Sequence, residues 1–441
     1  MPPLSRDEVL RLDRQHLFHP YGFADDPRPP LVIAHAEGAR LVDADGREYL
    51  DGNASWWVAA LGHRHPRLVA ALAAQAQTLG HVALAGITHE PAAALARDLV
   101  AVAPSGLTRV FFSDDGSTAV EAALKLAVQL FAQEGRPKKR RFVALEGAFH
   151  GDTSGAVSLG GVEVFRRRFG PLLFDAIHVP SPAPDDEADE VAWRRAFDAV
   201  AALVEREHEE IAGVVVEPIV QGAAGMRRYA PEYLARLREL TARRDVLLIT
   251  DEVFTGYGRT GPMWACDLAG IAPDLLCTAK GFSGGLLPMA ATLLTERIFD
   301  GFRGGRSRAF LHGHSFTGNP LGAAVAREVL AVYRDEDVLA RAAGKARRLA
   351  AATEALRVLP SVLRVRQIGM VAAADLAPSG QGGYLGEAGW RVYDEGLARG
   401  AVLRPLGDTV YLTPPLNIPD DDLDRLCGIW LDAVRAVVSG A

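Results

Sequence analysis

Cysteine is scarce in this chain of 441 residues: there are three, Cys266, Cys277 and Cys427. An odd total without metal-ligand spacing speaks against a disulfide framework and against a metal site, and it suits a reducing compartment. Long apolar runs are also missing. No stretch approaches the ~18 consecutive apolar residues of a membrane span, and the N-terminal MPPLSRDEVLRLDRQ has no apolar signal core, so a soluble, cytoplasmic protein is expected. Positive charge is not in excess either. With 48 Lys and Arg against 55 Asp and Glu the formal charge is −7, which argues against a nucleic-acid partner. The basic runs at 136–141 and 166–168 read as solvated surface. There is no GxxxxGK[ST] loop, and GYGRTG is not followed by a helix pattern, so a nucleotide site has no support.

What is present is a globular composition, 49% hydrophobic and 23% charged, long enough for two domains with substantial cores. The most informative stretch is Val246 to Gly285. An apolar run ends directly before Asp251 and Glu252, and a second run, Leu275 to Ala279, ends directly before Lys280. Ligands of open α/β sheets bind beyond the carboxyl ends of the strands, so Asp251 and Lys280 are expected to face one pocket. A lysine there can condense with an aldehyde, and pyridoxal 5'-phosphate (PLP) is the common protein-held aldehyde. A carboxylate beside its ring nitrogen favours the protonated ring that makes it an electron sink, the role expected of Asp251. The bland alternative, a solvated or salt-bridged Asp and Lys, does not account for the glycine-rich surroundings GYGRTG and KGFSGG, where backbone can approach a ligand closely.

Further along the chain, helical periodicity covers 67–79 and 91–103, followed by the strand RVFFS and the junction DDGSTAVE, which opens a helix running to about Gln133. The amides of Gly116 and Ser117 at that helix start suit a phosphate, although simple N-capping would give the same pattern. A strand at 141–145 leads into a glycine-rich loop with Phe149, His150 and Asp152; an aromatic ring there can stack on a flat heterocycle, and Asp152 either supports the ring-nitrogen carboxylate or forms a turn. The segment 180–190 is rich in proline and acid and reads as a mobile surface loop, after which helix 191–208 and strand 211–217, ending in Glu217, resume the alternation. Residues 288–295 read as an apolar strand. Helices at 320–334, 337–357 and 420–438 surround short strands near 362–376 and 401–413. Toward the N-terminus, residues 1–30 read as a loosely structured arm whose aromatics are a packed tether or a pocket wall, and 31–50 as a hairpin or three-stranded sheet. The adjacent Trp56 and Trp57 cannot both enter one face of a strand, so one is expected at a cavity or an interface. Arg259 reads as a loop anchor or an anion binder, and Arg404 as a structural ion pair or a bidentate carboxylate clamp.

In these motifs the chain resembles the class III (ornithine/GABA-type) aminotransferases of PLP fold type I. The HPY element at 19–21 and the WW pair resemble the family's biotin-pathway branch. The resemblance runs from His16 to the last helix. It implies an α/β large domain with a mostly parallel seven-stranded sheet over 71–325, and a smaller α+β domain over 326–441 completed by 1–70. It implies Lys280 and Asp251 as catalytic residues, cofactor contacts from Gly116, Ser117, Phe149, Glu217, Val253, His314 and Ser315, and substrate contacts from Tyr21, Trp56, Phe149, Gly313, Arg404 and Tyr411. It also implies a homodimer in which the loop holding Gly313 and Ser315 serves the neighbouring site. The activity implied is amination of 8-amino-7-oxononanoate to 7,8-diaminononanoate, with S-adenosylmethionine or, in a sub-branch that His314 resembles, lysine as donor. The chain departs from most relatives in having Phe149 where a tyrosine is usual. Another class III activity on ω-amino acids, diamines or acetylornithine is the alternative, and a non-catalytic binding protein of this fold a remote one.

Overall fold

The computed structural model describes residues 4–184, 189, 191–377 and 382–439. Residues 185–188 and 190 of the acidic loop expected at 180–190 lie outside that set. Seven strands form the central sheet, in the spatial order Leu107–Ser113, Ala290–Thr295, Leu275–Thr278, Leu247–Asp251, Ile211–Val216, Arg141–Leu145, Ile177–Val179. Only Ala290–Thr295 runs antiparallel to its neighbours. The fold is thus α/β with a mostly parallel sheet, as the resemblance implied.

Strand side chains alternate between faces, and in the central strands both faces are covered, which is why those strands read as continuous apolar runs. Leu247 and Ile249 join a core built around helix Gly116–Gln133 through Ala119, Ala123, Leu130 and Phe131. Leu248, Val214 and Val216 join a second core shared with helices Ala192–Glu207, Pro231–Arg243 and Pro320–Asp335. Helix Gly116–Gln133 starts where the sequence places it because Asp115 and Thr118 form a reciprocal capping box.

The two ends of the chain share one small sheet: Ile33–Glu37, Arg40–Asp43 and Glu48–Asp51 are antiparallel, and Ala401–Val402 adds in parallel to the last of them. A second antiparallel sheet joins Val362–Ile368, Val371–Leu376 and Thr409–Leu412. The expected loose arm contains a helix, Arg6–His16, that buries no residue; its stability is local, from the Ser5 cap, Asp7 and Glu8 in the first turn, and Arg14 and His16 in the last.

Gly52 sits where the small sheet meets the strand that follows it in space, its N–H donating to the Val402 carbonyl at 3.0 Å. A Cβ there would lie 2.8 Å from Leu403 Cδ2 and 2.9 Å from the Val402 oxygen. Gly52→Ala should therefore overpack this junction and cost about 1–3 kcal/mol. A chemical-denaturation midpoint unchanged from the parent would contradict this packing.

Candidate active site

The carboxyl ends of the parallel strands open into a cavity of about 560 Å³. Its lining includes Gly116, Ser117, Phe149, Glu217, Asp251, Val253 and Lys280, brought from five different strand ends or junctions, together with Tyr21 and Trp56 from the N-terminal region. Strand-end position in the sequence predicts this pocket for Asp251, Lys280 and Glu217, and the family resemblance implies it for the others.

At the floor, Asp251 is buried, and one carboxylate oxygen lies 2.8 Å from His150 Nδ1. The other accepts the Val253 N–H at 3.1 Å. His150 is itself buried and its Nε2 has no partner, so the imidazole serves to hold the carboxylate. Of the two readings of Asp152, support of this carboxylate or a turn, the first does not hold: the support comes from His150. Asp152 points elsewhere: it accepts the Tyr21 hydroxyl, and its N–H donates to Ser117 Oγ at 3.1 Å. Glu217 accepts N–H bonds from Phe149 at 3.0 Å and Gly222 at 2.8 Å. Burial first, and then the charge of Asp251, push its carboxyl up to about 7.

Lys280 follows the strand Leu275–Thr278 in a left-handed conformation, φ 50°, with Nζ 5.2 Å from the centroid of Trp57. Burial lowers its pKa, and the carboxylates of Asp251 and Glu217 act against that shift. An amine of lowered pKa is easier to use unprotonated, as a nucleophile or base. Across the cavity, Gly116 and Ser117 open an 18-residue helix, where helix geometry leaves their amides without intrahelical acceptors. A Cβ on Gly116 would meet Val253 Cγ1 at 2.7 Å, so glycine is required for this approach. An amine, a buried carboxylate, an aromatic ring and a helix N-terminus are the groups that an aldehyde on a charged heterocycle with a phosphate arm demands; the residues fit PLP.

The tryptophan pair lies on no strand. Ala54, Ser55, Trp56 and Trp57 all have positive φ, between 46° and 76°, making one left-handed turn. For residues other than glycine that conformation costs roughly 1–2 kcal/mol each, and such strain collects at functional sites. The turn sends the indoles to opposite sides. Trp57 packs on Phe254 at 4.5 Å, near Lys280, while Trp56 packs on Tyr21 at 5.3 Å. The guanidinium of Arg404 lies 4.2 Å from the Trp56 ring centroid and 5.9 Å from that of Trp390. Its Nη1 is buried with no partner, and among the described residues no carboxylate pairs with Arg404, against the salt-bridge alternative.

Four expected contacts are placed differently. Tyr411 is fully buried behind the wall, its hydroxyl accepting from Trp57 Nε1 at 3.2 Å, because the strand Thr409–Leu412 turns it into the core. Gly313, His314 and Ser315 lie outside this cavity. His314 reaches its rim, with Nδ1 3.4 Å from Asp114, on a segment where Leu311 is 92% exposed. Arg259 anchors loops, donating to the Pro414 carbonyl at 2.7 Å. Sequence reasoning missed Phe165 and Tyr384. Phe165 stands 5.5 Å from Phe149, 5.7 Å from Tyr21 and 4.6 Å from Tyr384, forming an aromatic mouth that no spacing could reveal.

A strand-end lysine and carboxylate under a helix N-terminus, on a mostly parallel seven-stranded sheet, define a PLP-dependent transferase. Residues 22–434 match the family model "Aminotransferase class-III", and the chain belongs to that family. It is therefore a PLP-dependent transaminase. The adenosylmethionine-8-amino-7-oxononanoate aminotransferase of Synechococcus elongatus is 44% identical over 96% of this chain and 99% of its own length. The crystal structure of the protein so named from Methanocaldococcus jannaschii superposes with a TM-score of 0.92 at 34% identity, covering 98% of this chain and 99% of that one. An omega transaminase of Pseudomonas jessenii, solved in complex with PMP, gives the same TM-score at 28% identity, covering 98% of each. Among the described residues no cluster suited to a metal occurs, and no helix is long and apolar enough to cross a membrane.

The raised Glu217 pKa has a consequence for stability. A carboxyl titrating near 7 in the fold, against an ordinary value of 4.5, binds its proton more tightly folded than unfolded. Its contribution is fully present below about pH 4.5 and is lost as the pH rises to about 7. The thermal midpoint should fall more over that range in the parent than in Glu217→Gln, which cannot titrate. Glu252, also pushed to about 7 by burial, adds a fall of the same sign to both. Identical falls would remove Glu217 from the effect.

Proposed function

We propose that this transaminase aminates 8-amino-7-oxononanoate to 7,8-diaminononanoate, the step named for its 44%-identical relative, with S-adenosylmethionine as donor and lysine as the alternative. The observation that carries the reading is Arg404: a guanidinium between two indoles, paired with no carboxylate among the described residues and with a buried Nη1 left without a partner, beside the aromatic side of the cavity formed by Tyr21, Trp56, Phe165 and Tyr384, suits a carboxylate at the end of an aliphatic chain.

PLP, when bound, supplies the electron sink that stabilises negative charge at the amine-bearing carbon of either substrate. Asp251, oriented by His150, holds the charge of the cofactor's ring nitrogen, and Gly116 and Ser117 offer their amides to its phosphate. Phe149 and Val253, which line the cavity, would hold the ring, and Glu217 fixes the Phe149 backbone. Lys280 Nζ takes the proton from the donor's carbon and returns one on the acceptor half. Tyr21, held by Asp152, and Trp56 shape the substrate side, and Arg404 takes the carboxylate. Phe149 offers a π-face without a hydroxyl. The exposed segment with Leu311 and Phe316 supports a homodimer in which Gly313, His314 and Ser315 of each copy approach the other's cavity. A cytoplasmic setting agrees with three buried, unpaired cysteines.

The visible band of the PLP-loaded protein should bleach with S-adenosylmethionine, or with lysine if His314 marks the lysine-using branch, and return with 8-amino-7-oxononanoate. An acceptor that never restores the band would withdraw the substrate and leave the wider family activity. Lys280→Ala should abolish the band and turnover together. Arg404→Ala should lower kcat/KM for the oxo acid roughly 10- to 100-fold, the worth of a hydrogen bond to a charged group, chiefly through KM. An equal effect on the donor half would remove the clamp.

A further inference from the structure

The backbone of Arg404 has no strand to hold it. Ala401–Val402 ends two residues earlier, and Pro405, which follows, has no N–H. The Arg404 N–H instead donates to the side-chain oxygen of Asn53 at 2.7 Å. Asn53 is 4% exposed, and its amide donates at 3.3 Å to the carbonyl of Tyr411, so one side chain ties together the Arg404 segment and the strand Thr409–Leu412. Asn53 also opens the left-handed turn. Its own carbonyl accepts the Trp57 N–H at 2.8 Å, and its N–H donates to Asp51 at 3.1 Å. The other oxygen of Asp51 accepts the Ser55 N–H at 2.7 Å and lies 2.8 Å from His63 Nε2. Asp51, 1% exposed, therefore pins the strained turn from below, and Asn53 pins it to Arg404.

Arg404 is consequently held from two sides by one short piece of chain: at its backbone by Asn53, and at its guanidinium by Trp56, 4.2 Å away. We propose that Asn53 is a positioning residue that sets Arg404 against Trp56 and so determines how well the site takes a substrate carboxylate. The inference rests on the carboxylate reading of Arg404 given above. Without Asn53 the Arg404 N–H and the Tyr411 carbonyl lose their partners, and the guanidinium is no longer kept in register with the indole that faces it.

The test uses the PLP-loaded protein and two unreactive probes, octanoate and octan-1-ol, with binding followed by quenching of tryptophan fluorescence and melting followed in parallel. Asn53→Ala should weaken octanoate roughly tenfold and leave octan-1-ol unchanged. Combined with Arg404→Ala, it should weaken octanoate no further than Arg404→Ala does alone. Asn53→Ser, which keeps a smaller acceptor, should fall between, and it is the variant to read if Asn53→Ala does not fold. Equal weakening of both probes, or an Asn53 effect that adds in full to that of Arg404→Ala, would overturn the inference and leave the Arg404 assignment standing. Octanoate binding unchanged by Arg404→Ala would overturn the carboxylate reading and this inference with it.

Discussion

A strand buried on both faces has no place for a charged side chain along its length, and this constraint shapes the site. Ile211–Val216 and Leu247–Asp251 are buried throughout, with apolar neighbours above and below. In these strands charged groups appear only where the ladder ends, as Glu217, Asp251 and Glu252, and where Leu275–Thr278 hands over to Lys280. Parallel neighbours end on the same side, so the rule that excludes charge from the sheet also concentrates it in one cavity.

Once concentrated, these groups depend on hydrogen bonds for their state. Asp251 is held in place by its contact with His150 and by the Val253 N–H, whereas Glu217, with two backbone donors, is shifted toward its neutral form by burial, which outweighs the opposing influence of His150. Glu252, next to Asp251, takes the N–H groups of Ala265 at 3.0 Å and Cys266 at 2.9 Å and ties the following loop to the floor. Adjacent carboxylates thus have separate tasks, one facing the ligand space and one holding backbone.

The substrate side is built on a different principle. Four residues in left-handed conformation give two adjacent tryptophans opposite directions without a strand, whose alternation would otherwise be needed to separate neighbours in sequence. One indole serves the lysine and the other the arginine, so the strain of one turn orients both halves of the pocket. The polar side chains of Asp51 and Asn53 hold that turn in place.

The sequence by itself determined the α/β class, the strand ends that carry Asp251 and Lys280, and the capped helix start at Gly116, because each rests on local periodicity, turn chemistry or the apolar runs of buried strands. The motifs around them also indicated the family, since glycine-rich loops and strand-end charges lie within short windows. Only the tertiary structure decided that His150 rather than Asp152 supports Asp251, that Tyr411 lies behind the wall, and that Phe165 and Tyr384 meet at the mouth. Those contacts join residues far apart in the chain, and their side-chain directions follow from loop paths that periodicity does not encode. The left-handed turn at Ala54–Trp57 belongs with them: nothing in its residue types favours positive φ, and the conformation persists because buried partners elsewhere in the fold hold it.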